Sequence, residues 1–220
     1  MDFKDIIYAV DGPLGVITLN RPAYRNAQGY RMLDEIDQAF GLAKADSDVR
    51  VVIVKGAGGV FSTGHDLGTP EAMEYRAALG AKPGVQTYDQ FKKYNLDLLL
   101  KWRNFPKPTI AMVEGYCIYA GWMLAAAMDV VFAADSAEFL GGFVEYNSIP
   151  WDIGVRRAKE LVFESRFISA DEAARVLGLV PEQALSDVVD LIADGDAGGV
   201  LRRIDELATG GQDLSGLVPA

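Results

Sequence analysis

Apolar residues in this chain fall into short runs broken by glycine-rich and polar stretches. Val51-Val52-Ile53-Val54 is continuously apolar and β-branched. Pro108–Val113 (PTIAMV) is a second short run of that kind. Such runs suit strands covered on both faces, as in a parallel sheet packed by helices. Ile6–Val10 and Leu14–Leu19 bracket Asp11-Gly12 and predict a hairpin. Between Arg31 and Lys44, Met32, Leu33, Ile36, Phe40 and Leu42 recur near helical spacing, so a helix is expected before Val51. Two helical pieces, Glu71–Leu79 and Tyr88–Trp102, are predicted on either side of the breaker Gly80–Gly84. Beyond them the pattern predicts a helix from Trp122 to Met128, strands at Val130–Ala134 and Glu138–Leu140, and a helix over Val155–Glu164. Pro181–Ala193 and Val200–Leu207 are the last helical stretches. Strands alternating with helices indicate an α/β fold.

Composition narrows the function classes. With 220 residues, half of them apolar, one domain with a full core is expected. Against 21 basic residues stand 31 acidic ones, a net charge of −10 that argues against a nucleic-acid binder. The single cysteine, Cys117, excludes an internal disulfide framework, and with one histidine it gives no credible metal-ligand set. The start MDFKDIIYAV lacks the charge and core pattern of a secretory signal, and no apolar run reaches ~18 residues. These features are those of a cytoplasmic chain without a membrane span.

The chemistry is expected in two loops. Val51–Val54 runs into Gly56, Gly58 and Gly59 and then Phe61-Ser62-Thr63-Gly64-His65-Asp66-Leu67, a small polar loop at a strand's end. Open α/β folds bind their ligands at such ends. Pro108–Val113 is followed by Glu114-Gly115-Tyr116-Cys117-Ile118-Tyr119-Ala120-Gly121 and then the Ala-rich helix. Peptide N–H groups at a helix start carry partial positive charge. Two loops that each present one N–H are equipped to polarise a carbonyl or thioester held between them.

These residues resemble a family. Leu19-Asn20-Arg21-Pro22 with Asn26-Ala27, then Phe61–Leu67, Pro106–Ala111, Gly115-Tyr116, Ala120-Gly121 and Met128-Asp129 occur in the order found in the crotonase (enoyl-CoA hydratase/isomerase) superfamily. Ala158–Leu161, Ala170–Ala173 and Gly178–Val180 extend the likeness, which covers roughly residues 5–181. The resemblance implies a crotonase-like ββα superhelix, stacked parallel sheets with surrounding helices. It implies a crotonase-like core over 1–180, followed by a short, divergent helical segment over 181–220. The implied substrate is an acyl-CoA, with coenzyme A entering as part of that substrate and no separate cofactor. The N–H of His65 and that of Ala120 or Gly121 would form the oxyanion hole, and Ala23, Tyr24, Arg25, Ser62, Gly64 and His65 would border coenzyme A. Arg25 is placed to meet a coenzyme A phosphate. The 69–101 insert falls where the family shapes its substrate pocket, with Tyr88, Phe91 and Tyr94 as candidate walls or as ordinary packing.

The sequence also departs from the family. A typical hydratase has two glutamates, whose positions fall here on Met123 and Phe143. Neither side chain transfers a proton. Glu145 and Asp152 are the carboxylates left nearby; Asp152 is equally a candidate N-cap for the helix after Gly154. Ser62, His65 and Asp66 mimic a triad, but they lie in one turn, without the strand-to-helix elbow that exposes a nucleophilic serine. After residue 181 eight acidic residues face only Arg202 and Arg203, and the end is shorter than the helices that assemble family members as trimers. The expected activity is enoyl-CoA hydration or isomerisation. Its rivals are hydrolytic or dehalogenase-like chemistry at Asp152, and non-catalytic acyl-CoA binding.

Overall fold

The structure, a computed structural model, describes residues 2–80, 84–141 and 149–177, together with Leu191, Gly199 and Arg202. Glu145, Phe143 and the expected helices beyond residue 181 lie outside the described residues, as does the proposed segment boundary at 180.

The expected hairpin forms from β1 (Ile6–Asp11) and β2 (Leu14–Leu19), paired antiparallel. A 3₁₀ turn at Pro22–Tyr24 leads to helix α1 (Tyr30–Ala45), which buries Met32, Leu33, Ile36, Ala39, Phe40 and Ala43 along one stripe. Strand β3 (Val51–Gly56) buries its first four residues, as its unbroken apolar run requires. The insert holds α2 (Pro70–Ala78), α3 (Val85–Lys92), a π turn (Lys93–Asp97) and α4 (Leu98–Arg103). Thereafter come β4 (Thr109–Val113), β5 (Tyr116–Ile118), α5 (Ala120–Ala126), β6 (Val130–Ala133), β7 (Glu138–Leu140), α6 (Ile149–Ile153), α7 (Val155–Glu164), β8 (Ile168–Ser169) and α8 (Ala170–Leu177).

The chain winds as a spiral. One sheet has the order β1-β2-β3-β4-β6, parallel from β2 onward, and the other has the order β5-β7-β8. Each later turn gives a strand to the larger sheet, a shorter one to the smaller sheet, and then a helix: β4-β5-α5, then β6-β7-α6. The turn after β3 follows the same course, because Ser62 bridges Cys117 and so lies beside β5 before α2 begins. This is the ββα repeat expected from the sequence. It aligns the loops at 61–67 and 116–121 as neighbours.

The core fills the space between the larger sheet and its helices. Phe40 of α1 packs against Trp102 and Phe105, with ring centroids 5.8 and 5.0 Å away. Lys107 closes the far end of α1 by donating to the carbonyls of Ala43, Asp46 and Val49. No helix among the described residues is long and apolar enough to cross a membrane.

Candidate active site

Loop 61–67 is held by buried polar side chains from the stretch between β2 and α1. Asn26 accepts from Arg21 N–H and donates through Nδ2 to the carbonyls of Ala57 and Val60, which fixes the glycine turn after β3. Gln28 donates through Nε2 to Ser62 Oγ at 3.0 Å and to the Ala120 carbonyl at 3.3 Å, tying the two loops together. Arg21 is 7% exposed; it donates to Asp66 at 2.7 Å, to the Ala27 carbonyl and to Thr69 Oγ1. Sequence reading missed these clamps. The available signal was two amide side chains, Asn26 and Gln28, in the short stretch between β2 and α1, where Asn26 takes the positive φ (54°) that asparagine tolerates.

Backbone contacts then aim the N–H groups. Gln28 N–H donates to the Gly64 carbonyl, and Asp66 N–H donates to the Gln28 carbonyl. In a parallel pairing of this kind the intervening residue's own peptide groups face the other way. His65, which bridges Gln28, therefore turns its N–H away from Gln28. Ala120 is the first residue of α5, so its N–H has no acceptor within the helix. Gly64 lies at φ +92°, and a Cβ there would sit 2.9 Å from the Ile118 carbonyl oxygen and 3.2 Å from the Ala120 nitrogen. A Cβ on Gly121 would come within 2.5 Å of the Ser62 carbonyl oxygen. Glycine at both positions lets backbone meet backbone, and the Ala120 N–H arrives beside the Gly64–His65 peptide. α5 begins at Ala120, two residues before the predicted start, so Ala120 carries the first N–H of the helix and Gly121 makes the packing contact.

The apparent triad is dismantled by its hydrogen bonds. Ser62 is fully buried and donates to the Asn26 carbonyl at 2.8 Å while accepting from Gln28 and from Gly64 N–H. Its oxygen has no capacity left for attack. Burial pushes the Asp66 carboxyl up, but hydrogen bonds from the Thr69 hydroxyl and N–H, Arg21 and Gly68 N–H outweigh it and hold the group at about 2. Asp66 is a structural carboxylate.

Ala23, Tyr24 and Arg25 are exposed on the rim. The Arg25 carbonyl accepts from Thr63 N–H at 3.1 Å, and its guanidinium lies 5.9 Å from the Tyr116 ring centroid. Met123, at the family's first glutamate position, is 5% exposed. Asp152 sits in α6 and pairs with Arg103 at 2.8 Å; Arg103 also donates to the Ala126 carbonyl, at the C-terminal end of α5. Ala120 is at the opposite end of that helix. The capping role foreseen for Asp152 is not what is found: Gly154 caps α7, with no side-chain bond. Of the insert's aromatics, Tyr88 and Phe91 are 63% and 50% exposed, whereas Tyr94 is buried and stacks on Tyr30 at 4.0 Å.

A spiral of ββα turns with two loops clamped at one helix start is the architecture of crotonase-fold proteins. The sequence pattern of the enoyl-CoA hydratase/isomerase family matches residues 11–191, and the chain belongs to that family. A putative enoyl-CoA hydratase of Mycobacterium tuberculosis is 40% identical over 201 residues, which cover 81% of this chain. The chain spans only 63% of that relative's length. A short-chain-enoyl-CoA hydratase of Clostridium acetobutylicum is 34% identical, over 82% of this chain and 69% of its own. Among solved structures, a probable enoyl-CoA hydratase from Mycobacterium smegmatis superposes with a TM-score of 0.73 at 35% identity, covering 94% of this chain and 84% of that one. An enoyl-CoA hydratase/isomerase from Xanthobacter autotrophicus gives 0.74 at 31% identity, covering 98% and 81%.

Proposed function

We propose that this chain is an acyl-CoA thioester enzyme of the hydratase/isomerase type. It polarises the thioester carbonyl with the His65 and Ala120 N–H groups and stabilises the enolate that forms. The supporting observation is the approach of Gly64 to the Ala120 nitrogen, which sets the two peptides side by side. Main-chain donors fixed before the substrate arrives need no reorganisation as charge develops, and one such donor is worth roughly 3–4 kcal/mol in comparable sites. Ala23, Tyr24 and Arg25 border coenzyme A, and Arg25 meets a phosphate. Ser62 and Gly64 act by shaping the loop. Glu145 is assigned proton transfer at the substrate, since Asp152 is engaged by Arg103 at the other end of α5.

A second reading, an acyl-CoA-binding homologue without turnover, is favoured by buried Met123 at the first glutamate position. One experiment separates the two. Purified protein is given crotonyl-CoA and longer enoyl-CoAs, and loss of the conjugated thioester absorbance is followed. Acetoacetyl-CoA is titrated in parallel as an enolate-forming probe. Turnover that disappears in Glu145→Gln but survives in Asp152→Asn supports the enzyme reading as stated. Enolate absorbance without turnover selects the binding reading, and neither signal overturns both.

A further inference from the structure

Tyr119 precedes the second donor and adopts φ 46°, ψ −113°, a backbone conformation that L side chains rarely take. Arg25, also at positive φ, has ψ 40° and sits in the ordinary left-handed basin; Tyr119 does not. Such strain persists only where surrounding structure enforces it, and it gathers at functional sites. Here the enforcement is visible: Tyr119 N–H donates to the Leu140 carbonyl, and its carbonyl accepts from Met123 N–H at 3.0 Å. A glycine would satisfy the same backbone without strain, so retaining a large side chain needs a reason in the side chain.

Position supplies one. The Tyr119 Cβ is 3.2 Å from where a Gly64 side chain would begin, so the ring is rooted between the two donor peptides. The residue is 45% exposed and does not pack into the core. Its hydroxyl has no hydrogen-bond partner among the described residues. A hydroxyl carried on a side chain rooted there is within reach of an acyl group whose thioester oxygen is held by the next residue's N–H. Helical side chains lean toward the N-terminus, so residue 123, one turn on, covers the turn holding Tyr119 and Ala120. A carboxylate at 123 would approach the acyl group from there. Met123 brings only a thioether.

We infer that Tyr119 is a catalytic residue, its hydroxyl donating the proton that Met123 cannot. This rests on the thioester reading above. In hydration, water's oxygen bonds to the β-carbon, its proton leaves to a base, and the π pair moves to the thioester oxygen. As the enolate collapses, the carbonyl re-forms, the α-carbon bonds the phenolic proton and the O–H bond breaks. Solvent returns a proton to the exposed phenolate, which balances the proton lost by water.

The test is Tyr119→Phe, which keeps the ring and the backbone strain and deletes only the hydroxyl. The readouts are kcat and KM for crotonyl-CoA, acetoacetyl-CoA enolate absorbance and thermal unfolding. A proton-transfer group contributes roughly 10²-fold or more, so kcat is expected to fall at least about tenfold. KM, enolate signal and melting temperature should stay within about twofold or a degree or two. An active parent and an equally active Tyr119→Phe overturn the role of Tyr119 and leave the thioester reading intact. A parent that binds the probe but turns over no enoyl-CoA overturns both the enzyme reading and this role.

Discussion

Backbone and side chain make separable demands at Tyr119. A non-glycine residue held outside the allowed basins costs about 1–3 kcal/mol, whereas glycine adds unfolded-state entropy worth about 0.4–1 kcal/mol. Tyr119→Ala keeps the strain and discards the ring; Tyr119→Gly removes both. The glycine variant should therefore be the more stable of the two by about 1 kcal/mol, read from urea unfolding midpoints with unchanged slopes. Equal midpoints would show that the φ 46° geometry stores no strain. Gly64 makes the opposite demand. At φ +92°, with the Ile118 oxygen 2.9 Å from its would-be Cβ, Gly64→Ala must push loops 61–67 and 116–121 apart. Acetoacetyl-CoA enolate absorbance should weaken at least about tenfold, since a misplaced donor loses most of its electrostatic benefit.

Among the elements, the insert shows how one carboxylate docks a segment. Asp34 on α1 accepts from Tyr75 of α2 at 3.0 Å, and from Tyr94 at 2.7 Å and Lys93 at 2.6 Å in the π turn. Burial and the Asp34 bond both raise the Tyr94 hydroxyl's pKa, so it stays a donor throughout the physiological range. Asp34→Ala leaves that buried hydroxyl without its acceptor, at a cost of about 1–3 kcal/mol. Amide exchange across 85–103 should accelerate before the β2–β4 strands respond; uniform acceleration would mean the insert is not a separate unit. None of this docking was legible in the sequence, because the partners stand 41 and 60 residues from Asp34. The periodicity of 85–103 likewise conceals the π turn, and β5 and β8, three and two residues long, are too short to show any period. What was legible was local: the buried run of β3, the Asp11-Gly12 hairpin, and α7 over Val155–Glu164. The glycines at 64 and 121 are likewise local features of the sequence, and they are where loops 61–67 and 116–121 approach closely. The clamps Arg21 and Gln28 act across the fold and were not legible.

For the molecule as a whole, those clamps form a charged girder through the N-terminal half. Arg31 holds Asp5 through two bonds of 2.9 and 2.8 Å, Asp5 lies 3.6 Å from Arg21, and Arg21 binds Asp66 at 2.7 Å. Asp66 in turn accepts from Thr69, the N-cap of α2, so the girder joins the approach to β1, the loop after β2 and the start of the insert. Its pH dependence follows from Asp66. The folded carboxyl, at about 2, lies below its ordinary 3.8, so the native state holds the charged form more tightly than the unfolded chain does. That contribution, about 2 kcal/mol, is complete above pH 3.8 and is lost as pH falls toward 2. Asp66→Asn removes it at every pH and leaves Arg21 with only the longer carboxylate contacts, 3.6 Å to Asp5 and 3.9 Å to Glu71, so the variant should be about 3 kcal/mol less stable at pH 7. The gap between parent and variant should then narrow by about 2 kcal/mol as pH falls from 5 to 2. Urea unfolding of both proteins across that range checks this. A gap that stays constant with pH would show that the Asp66 carboxylate is not preferentially charged in the folded state.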